Sequence, residues 1–303
     1  MAPVLEQNAE VTAPVYREVA AWLRDLRAVR EGERPAGDGA AAGEGGRADE
    51  GSADGDPSLI VDAGSGPGVV ACLFAEVFPQ AQVIAADPEE ALLARTVERA
   101  ARLGLADRVR THRAELPNGL GELPPADLIW AARSVHHVGD QVAALAALAD
   151  RLAPGGTLAI LEGGLAPRSL PRDFGIGRPG LQARLDAANE EWFARMRADL
   201  PGAKEATEDW AALLTAAGLR HVATRSFLVD LPAPLPDAAR DHIITTFGRY
   251  RDFAADSENP ILDSDDRATL DRLLDPQDPE SLHRRADLFL LTAHTVHVAV
   301  REA

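Results

Sequence analysis

The chain has 303 residues, of which 46% are hydrophobic, 26% charged and 5% aromatic, enough apolar material for one large domain carrying a substantial insertion. A formal net charge of -17 argues against a nucleic-acid partner, because phosphate binding needs a basic face. A single cysteine, Cys72, rules out an internal disulfide, and no stretch approaches the ~20 apolar residues that cross a bilayer. The N-terminus lacks a basic start followed by an apolar run, so the expected location is cytoplasmic, with no membrane partner.

In chain order, residues 12–29 place Val15, Val19, Trp22, Leu23 and Leu26 at helical spacing and predict a helix. Residues 31–56 consist largely of Gly, Ala, Asp and Glu, cannot bury enough surface to offset their ordering entropy, and read as a disordered linker. The run Leu59-Ile-Val-Asp-Ala-Gly-Ser-Gly-Pro-Gly68 then reads as a buried strand breaking into a cofactor-binding turn. Gly64, Gly66 and Gly68 allow backbone conformations that a Cβ forbids and let a ligand approach closely. A helix over residues 69–77 follows. A dinucleotide fingerprint would need a third glycine where Val69 stands, and Pro67 departs from it further. A Gly-x-Ser-x-Gly nucleophile elbow around Ser65 lacks both outer glycines, so the serine belongs to the turn.

Residues 83–88 form a second strand ending in Asp87, about twenty residues past the glycines, where doubly wound folds place a carboxylate on a ribose hydroxyl pair. Residues 109–113 read as a third strand followed by Ala114-Glu115-Leu116. Residues 126–132 read as a fourth, followed by Arg133-Ser-Val-His-His-Val138, and Leu152-Ala-Pro-Gly-Gly-Thr-Leu-Ala-Ile-Leu-Glu162 as the turn and fifth strand.

From residue 57 to 165 this succession resembles the class I S-adenosylmethionine-dependent methyltransferases, whose motif I is an acidic residue preceding Gly-x-Gly-x-Gly. The resemblance implies an α/β fold: a Rossmann-like, doubly wound, seven-stranded sheet with an antiparallel last strand. It implies S-adenosyl-L-methionine as cofactor, held by Tyr16, Asp62, Gly64, Gly66, Gly68, Asp87, Glu115, Arg133 and Ser134, with Glu115 at the position where the family places an Asp toward the adenine amino group. A sulfonium cofactor has no pyrophosphate, so it needs close backbone approach rather than an anion cradle.

In the C-terminal half, Leu181, Leu185, Ala188, Trp192 and Met196 share one helical face, and residues 209–219 look like the family's last crossover helix with a glycine cap. Strands are expected at 220–229 and 288–300. The family joins these by a short hairpin; here residues 230–287 intervene, too many for a bare loop. Helix-like runs at 237–254 and 267–274 put Ile243, Ile244, Phe247 and Tyr250 on a shared face. The expected organisation is a lid helix at 1–30, the linker, the cofactor core at 57–165, and a remainder at 166–303 whose residues 166–207 and 231–287 form a helical substrate cap.

His294 and His297, three apart on a strand, should face opposite sides, and the neighbours His136 and His137 should not both face one site. The Asp, Asp, Asn set of catechol-type methyltransferases cannot be placed, so no metal is expected. His136 is the first choice for a base or for orienting the acceptor, followed by His137 and Glu162; Glu190, Trp192, Phe247 and Tyr250 are expected in the acceptor pocket. The layout of Asp209-Trp210, Leu273-Leu-Asp-Pro276 and Arg284-Arg-Ala-Asp287 resembles actinobacterial methyltransferases of specialised metabolism, some of which methylate carbon on an indole ring. The expected function is methyl transfer to a small-molecule acceptor of aromatic or indole type. O- or N-methylation of another metabolite, an NAD- or FAD-binding oxidoreductase and a non-catalytic cofactor-binding scaffold stand as alternatives, and a homodimer is left open.

Overall fold

The computed structural model describes residues 2–32, 56–256 and 262–302. The expected linker lies outside the described residues except at its two ends. Two helices, α1 (Ala2–Val11) and α2 (Ala13–Gly32), precede a core that alternates β1 (Leu59–Ala63), α3 (Val69–Val77), β2 (Gln82–Asp87), α4 (Glu90–Arg102), β3 (Val109–Arg113), β4 (Ala126–Ala132), α5 (Gln141–Ala149) and β5 (Leu152–Arg168). Then come α6 (Leu181–Ala198), α7 (Trp210–Ala216), β6 (Arg220–Leu231), α8 (Asp237–Asp256), α9 (Ser264–Leu274) and β7 (Leu290–Val300).

The seven strands form one sheet in the order β3-β2-β1-β4-β5-β7-β6; β7 runs antiparallel to both β5 and β6. Ile60 and Val61, adjacent on β1, are both fully buried, as parallel strands covered on both faces require. One face packs against α2, α3 and the cap through Val19, Leu23, Phe74, Phe227 and Phe247, the other against α5 and α7 through Leu145, Leu148 and Leu214. No described helix is long and apolar enough to cross a membrane.

Two findings differ from the sequence reading. The N-terminal region is two helices, broken at Thr12, whose Oγ1 donates to the Asn8 carbonyl. Pro14, in the first turn of α2, lacks an N–H and would clash with a continuing helix, so the chain bends before it. Strand β5 also runs on to Arg168, lengthening the β5-β7-β6 arm beneath the cap. In that cap α8 packs against α1, α6 and α9. The buried Asp266 of α9 accepts ion-pair hydrogen bonds from Arg184 of α6 and from Arg178 just before it, at 2.7–2.8 Å, which fastens the two helices together.

Candidate functional site

The carboxyl ends of β1, β2 and β4 open onto a cavity of about 480 Å3, the position where open α/β sheets bind ligands. Its floor is the glycine turn after β1. Gly64 has φ 79°, and a Cβ there would stand 2.7 Å from that of Ser134; Gly68, φ 73°, lies against Thr96 with no room for a side chain. The amides of Gly64 and Ser65 both donate to the Ala86 carbonyl at 2.8 and 3.0 Å, tying the turn to β2. Asp87 completes the brace, accepting from the Gly66 amide and the Glu89 amide at 2.9 Å each.

Asp62, at the end of β1, is 2% exposed; burial, and then the charge of Asp87, push its carboxyl up to about 7. Its Oδ2, Ser65 Oγ and Trp130 Nε1 are buried without a hydrogen-bond partner, and all three residues line the cavity. An unmet buried polar group costs ~1–3 kcal/mol, so three around one cavity mark where a ligand's polar atoms belong. Val70, Leu92, Leu116 and Trp130 supply apolar wall, with Tyr16 edge-on to Trp130 at 6.2 Å. Two carboxylates beside a glycine turn disfavour a pyrophosphate and suit a cationic cofactor with an amino-acid end, so the donor set fits S-adenosylmethionine.

The segment after β4 forms the opposite wall. Arg133 has φ 51°. The amides of Ser134 and Val135 donate to Glu162 Oε1 at 3.1 and 3.0 Å, and His136 Nδ1 lies 2.7 Å from Glu162 Oε2. Glu162, 2% exposed on β5, thus has both oxygens committed to holding this turn. A 3-10 turn, Val135–His137, sets the His136 and His137 rings 4.1 Å apart, closer than alternation along a strand would bring them. The sequence expectation that these rings keep to separate sites is corrected to that extent. His137 lines the cavity, and burial followed by His136 lowers its pKa, whereas His136 turns to Glu162 and to the Phe193 ring of α6, 5.5 Å away.

From α6, Arg197 donates to the carbonyls of His136 and Val138 at 2.7 Å each. On the other side, Arg133 Nη2 donates to His294 Nδ1 on β7 at 2.8 Å. Burial and then Arg133 push His294 down to about 3 and His242 of α8 down to about 4, so both imidazoles are neutral near pH 7. His297, on the opposite face of β7, meets Thr224 instead.

Of the residues assigned to the cofactor from sequence, Tyr16, Asp62, Gly64, Gly66, Asp87, Glu115, Arg133 and Ser134 line the cavity, and Gly68 lies behind it at the start of α3. The four acceptor-pocket candidates do not line it: Glu190 is exposed, Trp192 is half-buried on α6, and Phe247, 1% exposed, packs in the core with Tyr250 edge-on at 6.0 Å. Leu5, Asn8 and Ala9 of α1 do line it and were missed, because α1 has no sustained apolar period. Phe193 was missed because it falls off the stripe that includes Leu185, Ala188 and Trp192.

Residues 61–158 match the family model described as Methyltransferase domain. Over 184 residues, 61% of this chain and 54% of the relative, the sequence is 30% identical to a trans-aconitate 2-methyltransferase of Azoarcus sp.. Over 102 residues, 33% of this chain and 24% of the relative, it is 40% identical to an uncharacterised protein of Synechococcus sp.. The matches thus span about a quarter to a half of these relatives' lengths. Among solved structures, phosphoethanolamine N-methyltransferase 2 of Haemonchus contortus superposes with a TM-score of 0.44 at 16% identity, covering 81% of this chain and 49% of that one.

Proposed function

Residues 61–158 being a class I S-adenosylmethionine-dependent methyltransferase domain, we propose that the whole chain transfers the methyl group of S-adenosylmethionine to a small-molecule acceptor held between that domain and the helical cap. The observation that carries this is the set of partnerless polar atoms, on Asp62, Ser65 and Trp130, around a cavity at the carboxyl edge of the sheet. When bound, S-adenosylmethionine supplies a methyl group on a sulfonium sulfur, open to in-line attack by the acceptor. The glycine turn and Asp87 hold the cofactor close to backbone, Tyr16 and Trp130 keep water from the floor, and α1 covers the cavity through Leu5 and Asn8.

Proton handling falls to the turn after β4. A carboxylate only accepts, so Glu162 fixes the His136 proton on Nδ1 and leaves Nε2 as the basic nitrogen, on a ring that faces α6 of the cap. His136 is then placed to take a proton from an O–H or N–H acceptor, or to orient a ring whose carbon attacks. Phe193 beside His136 and the half-buried Trp192 support a flat aromatic or indole-type acceptor; the trans-aconitate 2-methyltransferase relative favours O-methylation of another small metabolite as second reading.

Calorimetry should show S-adenosylhomocysteine binding, with NAD and FAD giving no heat. Asp87→Ala should weaken that binding by about 1.5–3 kcal/mol, roughly 10- to 100-fold, the size of a lost hydrogen bond to a charged group. Tight NAD binding would remove the assignment. Label transfer from S-adenosylmethionine to indoles, phenols, amines or carboxylic acids separates an enzyme from a scaffold, which would bind the cofactor and transfer nothing.

A further inference from the structure

Arg133 stands apart from the rest of the site in three ways. Among the described residues it is the one non-glycine with positive φ, a conformation that side chains with a Cβ rarely adopt and that persists where surrounding structure enforces it. Its amide donates to the Leu161 carbonyl of β5 at 3.0 Å, which aims the guanidinium across β5 to His294 on β7. And it is exposed on the cavity wall with no carboxylate in ion-pair range among the described residues; its hydrogen-bond partner is a neutral imidazole. The guanidinium has five N–H donors, and His294 takes up the Nη2 edge alone.

The surroundings do not offset this charge. The charges acting on His294 and His242 come from Arg133, from each other and, for His242, from Arg249; all are cationic. A chain of net charge -17 thus keeps one corner of its cavity positive.

We propose that this corner is a carboxylate-binding subsite for the methyl acceptor, in which the free edge of the Arg133 guanidinium pairs with an anionic group of that molecule beside His294. The proposal rests on the methyltransferase reading above and names the class of acceptor it takes. A planar guanidinium matches a carboxylate's two oxygens, and the pairing is strong where water is partly excluded. The cofactor's own groups belong elsewhere: Asp62, Ser65, Asp87 and Glu115 gather at β1 and β2, whereas β7 lies beyond both β4 and β5 in the strand order. An acceptor anchored at Arg133 would lie under α8 and reach back toward His136 and the cofactor cavity.

The test is calorimetry on the full chain saturated with S-adenosylhomocysteine, using matched pairs: trans-aconitate and its trimethyl ester, 4-hydroxybenzoate and its methyl ester, indole-3-carboxylate and indole. At least one carboxylate should bind tenfold or more tightly than its neutral partner, with the preference shrinking as NaCl is raised from 50 to 500 mM. Arg133→Gln should erase the preference, Arg133→Lys should keep part of it, and S-adenosylhomocysteine affinity should fall at least tenfold less than carboxylate affinity. If the glutamine variant does not fold, the lysine variant and the salt dependence of the unaltered protein decide. No carboxylate preference in any pair, a preference that survives Arg133→Gln, or equal losses for carboxylate and S-adenosylhomocysteine would each overturn the proposal. Failure of S-adenosylhomocysteine itself to bind would instead remove the methyltransferase reading, and this proposal with it.

Discussion

The cofactor side and the acceptor side of this cavity are built in opposite ways. On the cofactor side the decisive contacts are short in sequence: the Asp87 carboxylate reaches back 21 residues to the Gly66 amide. On the acceptor side Arg133 meets a histidine 161 residues away, and Arg197 of the cap meets the turn carrying His136 across 61. The first arrangement belongs to a strand-turn-helix unit that positions its own chemistry. The second exists only once β7 has inserted between β5 and β6 and the cap has closed over them. Sequence can therefore change freely on the acceptor side while the cofactor side stays fixed, which is how one sheet serves many acceptors.

The largest test of that division is His136. Held by Glu162 but facing the cap, it belongs to the acceptor side. With an O–H or N–H acceptor, His136→Ala should lower turnover by about 10²-fold or more, the usual contribution of a general base, while S-adenosylhomocysteine affinity changes less than twofold. His136→Gln discriminates further, since glutamine keeps a hydrogen bond but takes no proton. Rescue would assign orientation, and equal loss a base. A large loss of cofactor affinity in either variant would erase the boundary between the two sides.

The same boundary marks what could be read before the fold was known. The seven strands, the crossover helices and the two cap helices are legible because each shows a buried apolar run or a helical stripe of its own, bounded by glycine or a cap such as Asp140 or Asp209. Nearly all the cofactor-side residues are legible because their spacing along the chain is their spacing around the cavity. The acceptor side was not. Phe247 carries the aromatic character expected of a pocket wall but lies in the core, since the stripe it shares with Ile243 marks the buried face of α8 rather than the face toward a ligand. Arg133 and His294 were each visible, but nothing in either neighbourhood announces the other; only the register of β7 beside β5 joins them. And α1, with Leu5 and Asn8 on the cavity, has too little apolar periodicity to be recognised as a wall.

A mid-sized effect should appear on the cofactor side as a pH dependence. In the unliganded fold the Asp62 carboxyl is raised to about 7 by burial and by Asp87, so it is neutral below that pH and ionised above it. A cofactor bearing an ammonium group favours the ionised form, so binding releases a proton when it starts below 7. Affinity for S-adenosylhomocysteine should therefore rise about tenfold from pH 6 to pH 8, the result of one linked proton. Asp62→Asn should flatten the curve. Because the raised carboxyl favours the protonated fold, its stabilising contribution is fully present below the ordinary Asp value of 3.8 and is lost as pH rises through about 7, so the unliganded protein should lose stability relative to the Asn variant over that window. Calorimetry across pH in two buffers of different ionisation heat reads the proton directly, and an unchanged curve in the Asn variant would assign the titration elsewhere.

The smallest expected effect sharpens the comparison most, because it concerns the joint between the two sides. Arg197, near the end of α6, donates to the carbonyls of His136 and Val138, so a cap helix fixes the 3-10 turn that presents His136. Lys204, a few residues on, forms an ion pair with Asp140 beside the same turn, but its side chain is 70% exposed. The two contacts look alike in a diagram and differ in physics. An exposed ion pair is screened and worth little, whereas a guanidinium bridging two carbonyls restricts the backbone that carries the imidazole. Arg197→Ala should thus lower kcat about threefold to tenfold, with S-adenosylhomocysteine affinity within twofold, and Arg197→Lys should recover part of the loss by reaching one carbonyl. Lys204→Ala should leave kcat within about 1.5-fold. Equal losses in Arg197→Ala and Lys204→Ala would mean that the cap acts by general docking, and that the position of His136 is set by Glu162 from the sheet alone.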